Sequence, residues 1–251
     1  MKRLIFSLFI AMLAAGMAQA QNITRRYAWE GTLDGKIAIR LAIEVNSEGI
    51  VAGSILYPKA KKAAPILVVG STYEGGMFYL SEYLADGRVT GNMGFEIKGG
   101  LPVGEWTNPK TQKSYQFTSM RKIAFPNGFG GKLVPENPGN IGHEYGFMTY
   151  SEPYNDYMGG NFTFRAAGKN KVHFEACNTV RNIAEGESEA GRPAVLSGNH
   201  FVYRNVNECG YGFEAFFYPQ FMVARSVTDG DTVGCFGMGA SFEGVYIKTK
   251  K

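Results

Sequence analysis

Residues 36–45 read KIAIRLAIEV: Ile37, Ile39, Leu41, Ile43 and Val45 alternate with Lys36, Ala38, Arg40, Ala42 and Glu44. Strict period two puts every branched side chain on one face of a strand and the polar or small ones on the other. The same grammar continues outward. A run from Gly49 holds Val51, Ile55 and Tyr57 and stops at Pro58, and further runs cover Pro65 to Ser71 and Met77 to Leu84. Asp86-Gly87 is a hairpin signal leading into Val89 through Ile97, and Val103 to Trp106 and Tyr115 to Thr118 follow. With about eight short-linked strands, this half is expected to be an antiparallel meander, curled into a barrel or folded into a sandwich.

The chain has 251 residues, 45% hydrophobic and 19% charged, so it can bury a core and does not read as disordered. Its 33 glycines, without a triplet period and with 10 prolines, exclude collagen and suit short strands and tight turns. Lys2 and Arg3, the apolar Leu4 to Ala15 and the small-x-small Ala18-Gln19-Ala20 form a secretory signal, predicting a mature chain from Gln21 in the periplasm or outside the cell. That chain keeps 24 of the 26 basic residues and all 22 acidic ones, so the formal charge falls from +4 to +2. No other stretch is apolar enough for a transmembrane helix. Lys59-Ala60-Lys61-Lys62 reads as a solvated hairpin loop, with no nucleic acid expected as partner.

Residues 123–140, IAFPNGFGGKLVPENPGN, can hold neither a helix nor a central strand. This Pro/Gly-rich linker divides an N-terminal domain over 21–122 from a C-terminal β domain over 141–251. In the second half Asn161–Phe164, Lys171–Ala176, Ala194–Ser197, Phe201–Arg204, Phe213–Tyr218, Met222–Ser226 and Phe242–Ile247 read as strands. The fold class expected is all-β, two antiparallel meander barrels or sandwiches.

The pairs Gly53 and Tyr57, Leu67 and Gly70, Leu80 and Glu82, Gly87 and Gly91, and Gly104 and Trp106 give residues 27–121 a recurrent pattern. It resembles the small secreted β-barrel modules of Bacteroides-type bacteria, with a lipocalin- or streptavidin-like rhythm. A second pattern runs through Tyr203, Cys209, Cys235-Phe236-Gly237-Met238-Gly239 and Gly244-Val245-Tyr246. It resembles a C-terminal module of exported bacterial proteins, loosely similar to periplasmic membrane-bound lysozyme inhibitors, whose Ser-Gly inhibitory loop has an echo in Ser197-Gly198. Three cysteine pairings are open among Cys177, Cys209 and Cys235. Cys209 and Cys235 lie outside consecutive strand runs in similar surroundings, and the resemblance pairs them, a bond contributing about 3–4 kcal/mol. Cys177 is then expected as a buried, inert thiol.

Catalytic signatures are sparse. His143, His173 and His200 lack metal-ligand spacing, and neither a nucleophile elbow nor a phosphate or dinucleotide loop occurs, so no metal or cofactor is expected. Ser197-Gly198-Asn199-His200 and Asp229-Gly230-Asp231 read as turns. Glu82 falls in register with Phe78, Leu80 and Leu84; a local twist or bulge is expected to return it to solvent. Inside the barrel it would need a partner such as Arg40 or Arg88, and only convergence with Glu105 would build a paired-glutamate glycosidase.

In HEYGFMTYSEPYNDYM, residues 143–158, aromatic rings stand among amides and carboxylates, a composition suited to sugar stacking or a protein hot spot. The candidate binding residues are Tyr150, Tyr154, Asn155, Asp156 and Tyr157. The bland alternative makes Tyr145, Phe147 and Tyr150 a core strand and Pro153 to Asp156 its turn. The expectation is an exported, non-enzymatic binding protein of the bacterial envelope with a protein or carbohydrate partner, its most specific version an inhibitor of a cell-wall hydrolase. The alternative is a carbohydrate-active enzyme using Glu82 and Glu105.

Overall fold

The computed structural model describes residues 22–73, 75–127, 131–137, 143–180, 182–205, 211–227, 236 and 240–250. The expected secretory signal, the expected turn at Asp229-Gly230-Asp231, and both Cys209 and Cys235 with their expected bond lie outside the described residues. Cys177 is a free thiol.

Eight antiparallel strands close into a barrel: β1 (Ile23–Leu33), β2 (Ile37–Asn46), β3 (Ile50–Leu56), β4 (Ile66–Thr72), β5 (Met77–Tyr83), β6 (Val89–Lys98), β7 (Leu101–Thr107) and β8 (Ser114–Lys122). Each strand pairs with its neighbour in sequence, and β8 closes on β1 through Trp29 with Lys122 and Leu33 with Phe117. Closure leaves this half without a free edge. Ile39, Leu41, Ile43 and Val45 of β2 point into the lumen as their alternation requires, while Ile37 at the strand's start is exposed. Trp29, Phe78, Phe95 and Phe117 fill the rest, with Phe78 and Phe95 stacked at 5.0 Å. Burying each such side chain contributes roughly 1.5–3 kcal/mol, so the barrel is a packed core.

The second half is an antiparallel sheet of β9 (Glu144–Ser151), β10 (Asp156–Ala166), β11 (Lys171–Asn178), β12 (Ala184–Glu187), β13 (Ala194–Val195), β14 (His200–Arg204), β15 (Gly212–Phe217), β16 (Phe221–Ser226) and β17 (Gly244–Lys250). Its order is β12-β11-β10-β9-β17-β16-β15-β14, with β13 beside β11, so β17 lies in the middle between β9 and β16. The sheet curls around an aromatic core in which Phe162 meets Tyr246 edge-on at 4.8 Å and Phe174 meets Phe213 at 5.0 Å. On β11, Val172, Phe174 and Ala176 face this core, and His173, Glu175 and Cys177 face away, as the alternation predicts.

The outer faces of the two units pack together. Ile50, Val69 and Tyr83 of the barrel meet Phe216, Phe221 and Val223 of the sheet. Asn46 ties the contact polar-to-polar: its Nδ2 donates to Tyr218 Oη at 3.0 Å, and its Oδ1 accepts from Ile50 N at 2.9 Å. The linker's described residues form no helix or strand, yet they are built into this interface. Leu133 is buried there, Gly131 N donates to Gln220 Oε1 at 3.1 Å, and Lys248 pairs with Glu136 at 3.1 Å. At the Asp86-Gly87 turn, Gly87 has φ +84°, and the backbone of Gly146 comes so close that a Cβ would collide with it. Met148 N donates to Gly87 O at 3.0 Å, fastening β9 to the barrel.

Candidate functional site

Three places gather polar or exposed aromatic side chains. The first is inside the barrel near one end. Glu82 is only 1% exposed, which corrects the expected return to solvent. The register shift between β5 and β6 falls at Glu82 and Tyr83, after the glutamate has already turned inward. Neither Arg40 nor Arg88 meets it; these pair with Glu30 and Asp86. Three neutral donors hold it instead. Tyr57 Oη and Trp106 Nε1 donate to Oε1, the indole at 2.6 Å, and Thr90 Oγ1 donates to Oε2 at 3.1 Å. Gly91, the cross-strand partner of Glu82, makes room for the indole, since a Cβ there would collide with the Trp106 ring. Burial pushes the Glu82 carboxyl above the usual carboxylate range, and the three donors act against that shift. Tyr57 rises for the same reason and because Glu82 is beside it.

Glu105 lies on the outer side of the barrel wall, next to the inward Trp106, and accepts from Gln116 Nε2 at 3.1 Å. The two glutamates are therefore not brought together, and the pair needed for glycoside hydrolysis is not assembled.

The second place is the β9–β10 hairpin. Glu152–Tyr154 forms a single 3₁₀ turn, and Asn155 adopts the left-handed conformation at φ 49°. Tyr150 Oη donates to Asn155 Oδ1, the Tyr150 and Tyr157 rings meet edge-on at 5.6 Å, and the Lys110 ammonium stands 5.7 Å from the Tyr150 centroid. Tyr150 and Asn155 thus build the tip, while Tyr154 is 64% and Tyr157 40% exposed. Asp156 Oδ1 accepts from Tyr157 N at 2.7 Å. Within the same segment Tyr145 is buried in the sheet core and Phe147 packs against it.

The third place, unforeseen from sequence, is a cleft of about 760 Å³ where the outer face of β4–β6 meets β16 and β17. It continues past Ser81, Tyr83 and Asn92 into a second hollow of about 360 Å³. Tyr73, 63% exposed, and Tyr79, 53% exposed, meet edge-on at 5.6 Å at its lip. Ser81 Oγ donates to Asn92 Oδ1 at 2.7 Å on the barrel wall. Arg225 and Glu243 stand on the sheet wall, Arg225 Nη1 donating to Glu48 O at 2.9 Å and Glu243 Oε1 accepting from Ser226 N at 3.0 Å. The alternation of exposed Tyr79 and half-buried Ser81 with buried Phe78 and Leu80 was the available signal for the barrel wall.

Ser197 and His200 close a tight turn through His200 N–H to Ser197 O at 3.2 Å, and the His200 ring faces Glu214 at 3.0 Å, so the serine and imidazole form no dyad. Cys177 is half-buried beside Glu185, less enclosed than expected; burial first, then that carboxylate, raises its thiol. Among the described residues no three metal-ligating side chains converge, and no helix is long and apolar enough to cross a membrane. No family model, curated protein or solved structure matches this chain.

Proposed function

We propose that this chain is an exported, non-catalytic binding protein of the bacterial envelope that takes a saccharide in the cleft between barrel and sheet. The observation carrying the proposal is the half-exposed Tyr73–Tyr79 pair at the lip of a cleft lined by a hydroxyl, an amide, a guanidinium and a carboxylate. Sugar rings present C–H faces that stack on aromatic rings and hydroxyls that both donate and accept, and this lining offers both kinds of contact. The separation of Glu82 from Glu105 supports binding over hydrolysis. The leader over residues 1–20 and a Cys209–Cys235 bond belong to the same reading, and peptide mapping of the exported protein checks both.

Titration calorimetry with soluble cell-wall oligosaccharides tests the cleft. Tyr79→Ala and Asn92→Ala should each weaken binding about tenfold, equivalent to about 1.4 kcal/mol, with unchanged folding. Equal affinity in wild type and both variants sinks the assignment.

A further inference from the structure

Strands alternate in direction around a closed antiparallel barrel, so the loops 34–36, 57–65, 84–88 and 108–113 all emerge at one end. Those four loops carry Lys36, Lys59, Lys61, Lys62, Arg88, Lys110 and Lys113, every one exposed, against two acidic residues, Asp34 and Asp86. Both acids are engaged: Asp86 by Arg88 at 2.8 Å, and Asp34 Oδ1 by Gln116 N–H at 2.7 Å. Among the described residues none of the six lysines has an ion-pair partner. Residues 21–251 hold 24 basic and 22 acidic residues, so outside this rim acids outnumber bases. This loop end of the barrel is therefore basic, while the rest of residues 21–251 carries a net negative formal charge.

We infer that this loop end docks on the surface of an anionic lipid bilayer, lysine ammoniums on phosphate headgroups. The 84–88 tip is held against β9 through Gly87 and Met148, and the tips at 34–36, 57–65 and 108–113 are left to meet a flat surface together, whereas a single extended polyanion would reach only some of them. Six of the seven cations are lysines, flexible point charges without the fork that arginine uses for specific recognition, and this fits a mobile array of headgroups. The excess acid elsewhere turns the positive end toward a negative surface during approach. The hairpin that touches Lys110 carries Glu152 and Asp156, which puts the centre of the basic end at the Lys59–Lys62 loop. This surface is separate from the saccharide cleft and does not depend on it.

Vesicle co-sedimentation of the purified exported protein tests the inference. Phosphatidylcholine vesicles containing about one third phosphatidylglycerol should carry it down at low salt, and raising salt from about 0.05 M to about 0.5 M should release it. Vesicles of phosphatidylcholine alone should leave it in solution. Lys59→Gln/Lys61→Gln/Lys62→Gln should weaken binding on the order of a hundredfold. Lys132→Gln/Lys169→Gln/Lys171→Gln, which removes the same charge elsewhere, should bind as wild type. Equal binding to neutral vesicles, an unaffected rim variant, or equal losses from both triple variants overturns the inference. So does capture by duplex DNA or polyglutamate with anionic vesicles ignored.

Discussion

Replacing Glu82 by leucine keeps much of the side-chain volume but removes the acceptor shared by Tyr57, Thr90 and Trp106. The Trp106 ring is buried, so its N–H has no water to turn to, whereas Tyr57 and Thr90 are half-exposed and can rehydrate. One orphaned buried donor costs about 1–3 kcal/mol, and relieving a desolvated carboxylate returns part of that, so the net loss should be about 2 kcal/mol. For a chain of this size that lowers Tm by roughly 4–8 °C. Urea unfolding followed by tryptophan fluorescence reads it directly, because Trp29 and Trp106 are the only tryptophans. Glu82→Gln adds a pH test. The folded-state pKa of Glu82 is raised, so the folded protein holds the proton more tightly than the unfolded chain. Its contribution is complete below the ordinary carboxylate range and is lost as pH rises through the folded value, by about 1.4 kcal/mol per unit of elevation. The glutamine variant lacks this titration, so its stability relative to wild type should climb from acid toward neutral pH. A leucine variant as stable as wild type, or a glutamine difference flat with pH, refutes the reasoning.

Gly91→Ala should push the Trp106 indole off Glu82, destabilising the barrel by about 1–3 kcal/mol and shifting the tryptophan emission. Tyr154→Ala should change stability by less than about 0.5 kcal/mol, while Tyr150→Ala, which loses Tyr157, Asn155 and Lys110 together, should cost about 1–2 kcal/mol in differential scanning fluorimetry. At mildly alkaline pH, Cys177 should react with iodoacetamide more slowly than an unperturbed cysteine, and Glu185→Gln should speed it; the opposite order contradicts the raised thiol pKa.

The barrel was legible where one face is buried and the other wet, as in β2, because alternation is then enforced residue by residue. β1 escaped because Arg25 and Arg26 interrupt its apolar pattern and its pairing shifts register beside Ile23 and between Glu30 and Thr32. Glu82 was misplaced because its donors come from three other parts of the barrel sequence, each a neutral side chain, so no charge pattern announced a buried carboxylate. The tyrosine hairpin was visible as composition, but its division into scaffold, Tyr150 and Asn155, and exposed rings, Tyr154 and Tyr157, depends on a turn geometry that composition does not carry. The cleft was invisible for a simpler reason: its walls belong to two units, and no local periodicity states how their outer faces meet.

The position of β17 has a consequence for the order of assembly. Gly146 pairs with Ile247, so β9 gains its partner on that side only after almost the whole second half has been synthesised. The barrel closes its own ring and can form while the second sheet still waits for its central stave. Until β17 slots in, β9 and β16 each present a bare edge to whatever strand comes near. A chain threaded through a membrane from its N-terminal side would release a finished barrel first, and that barrel offers the apolar wall on which the late sheet can nucleate.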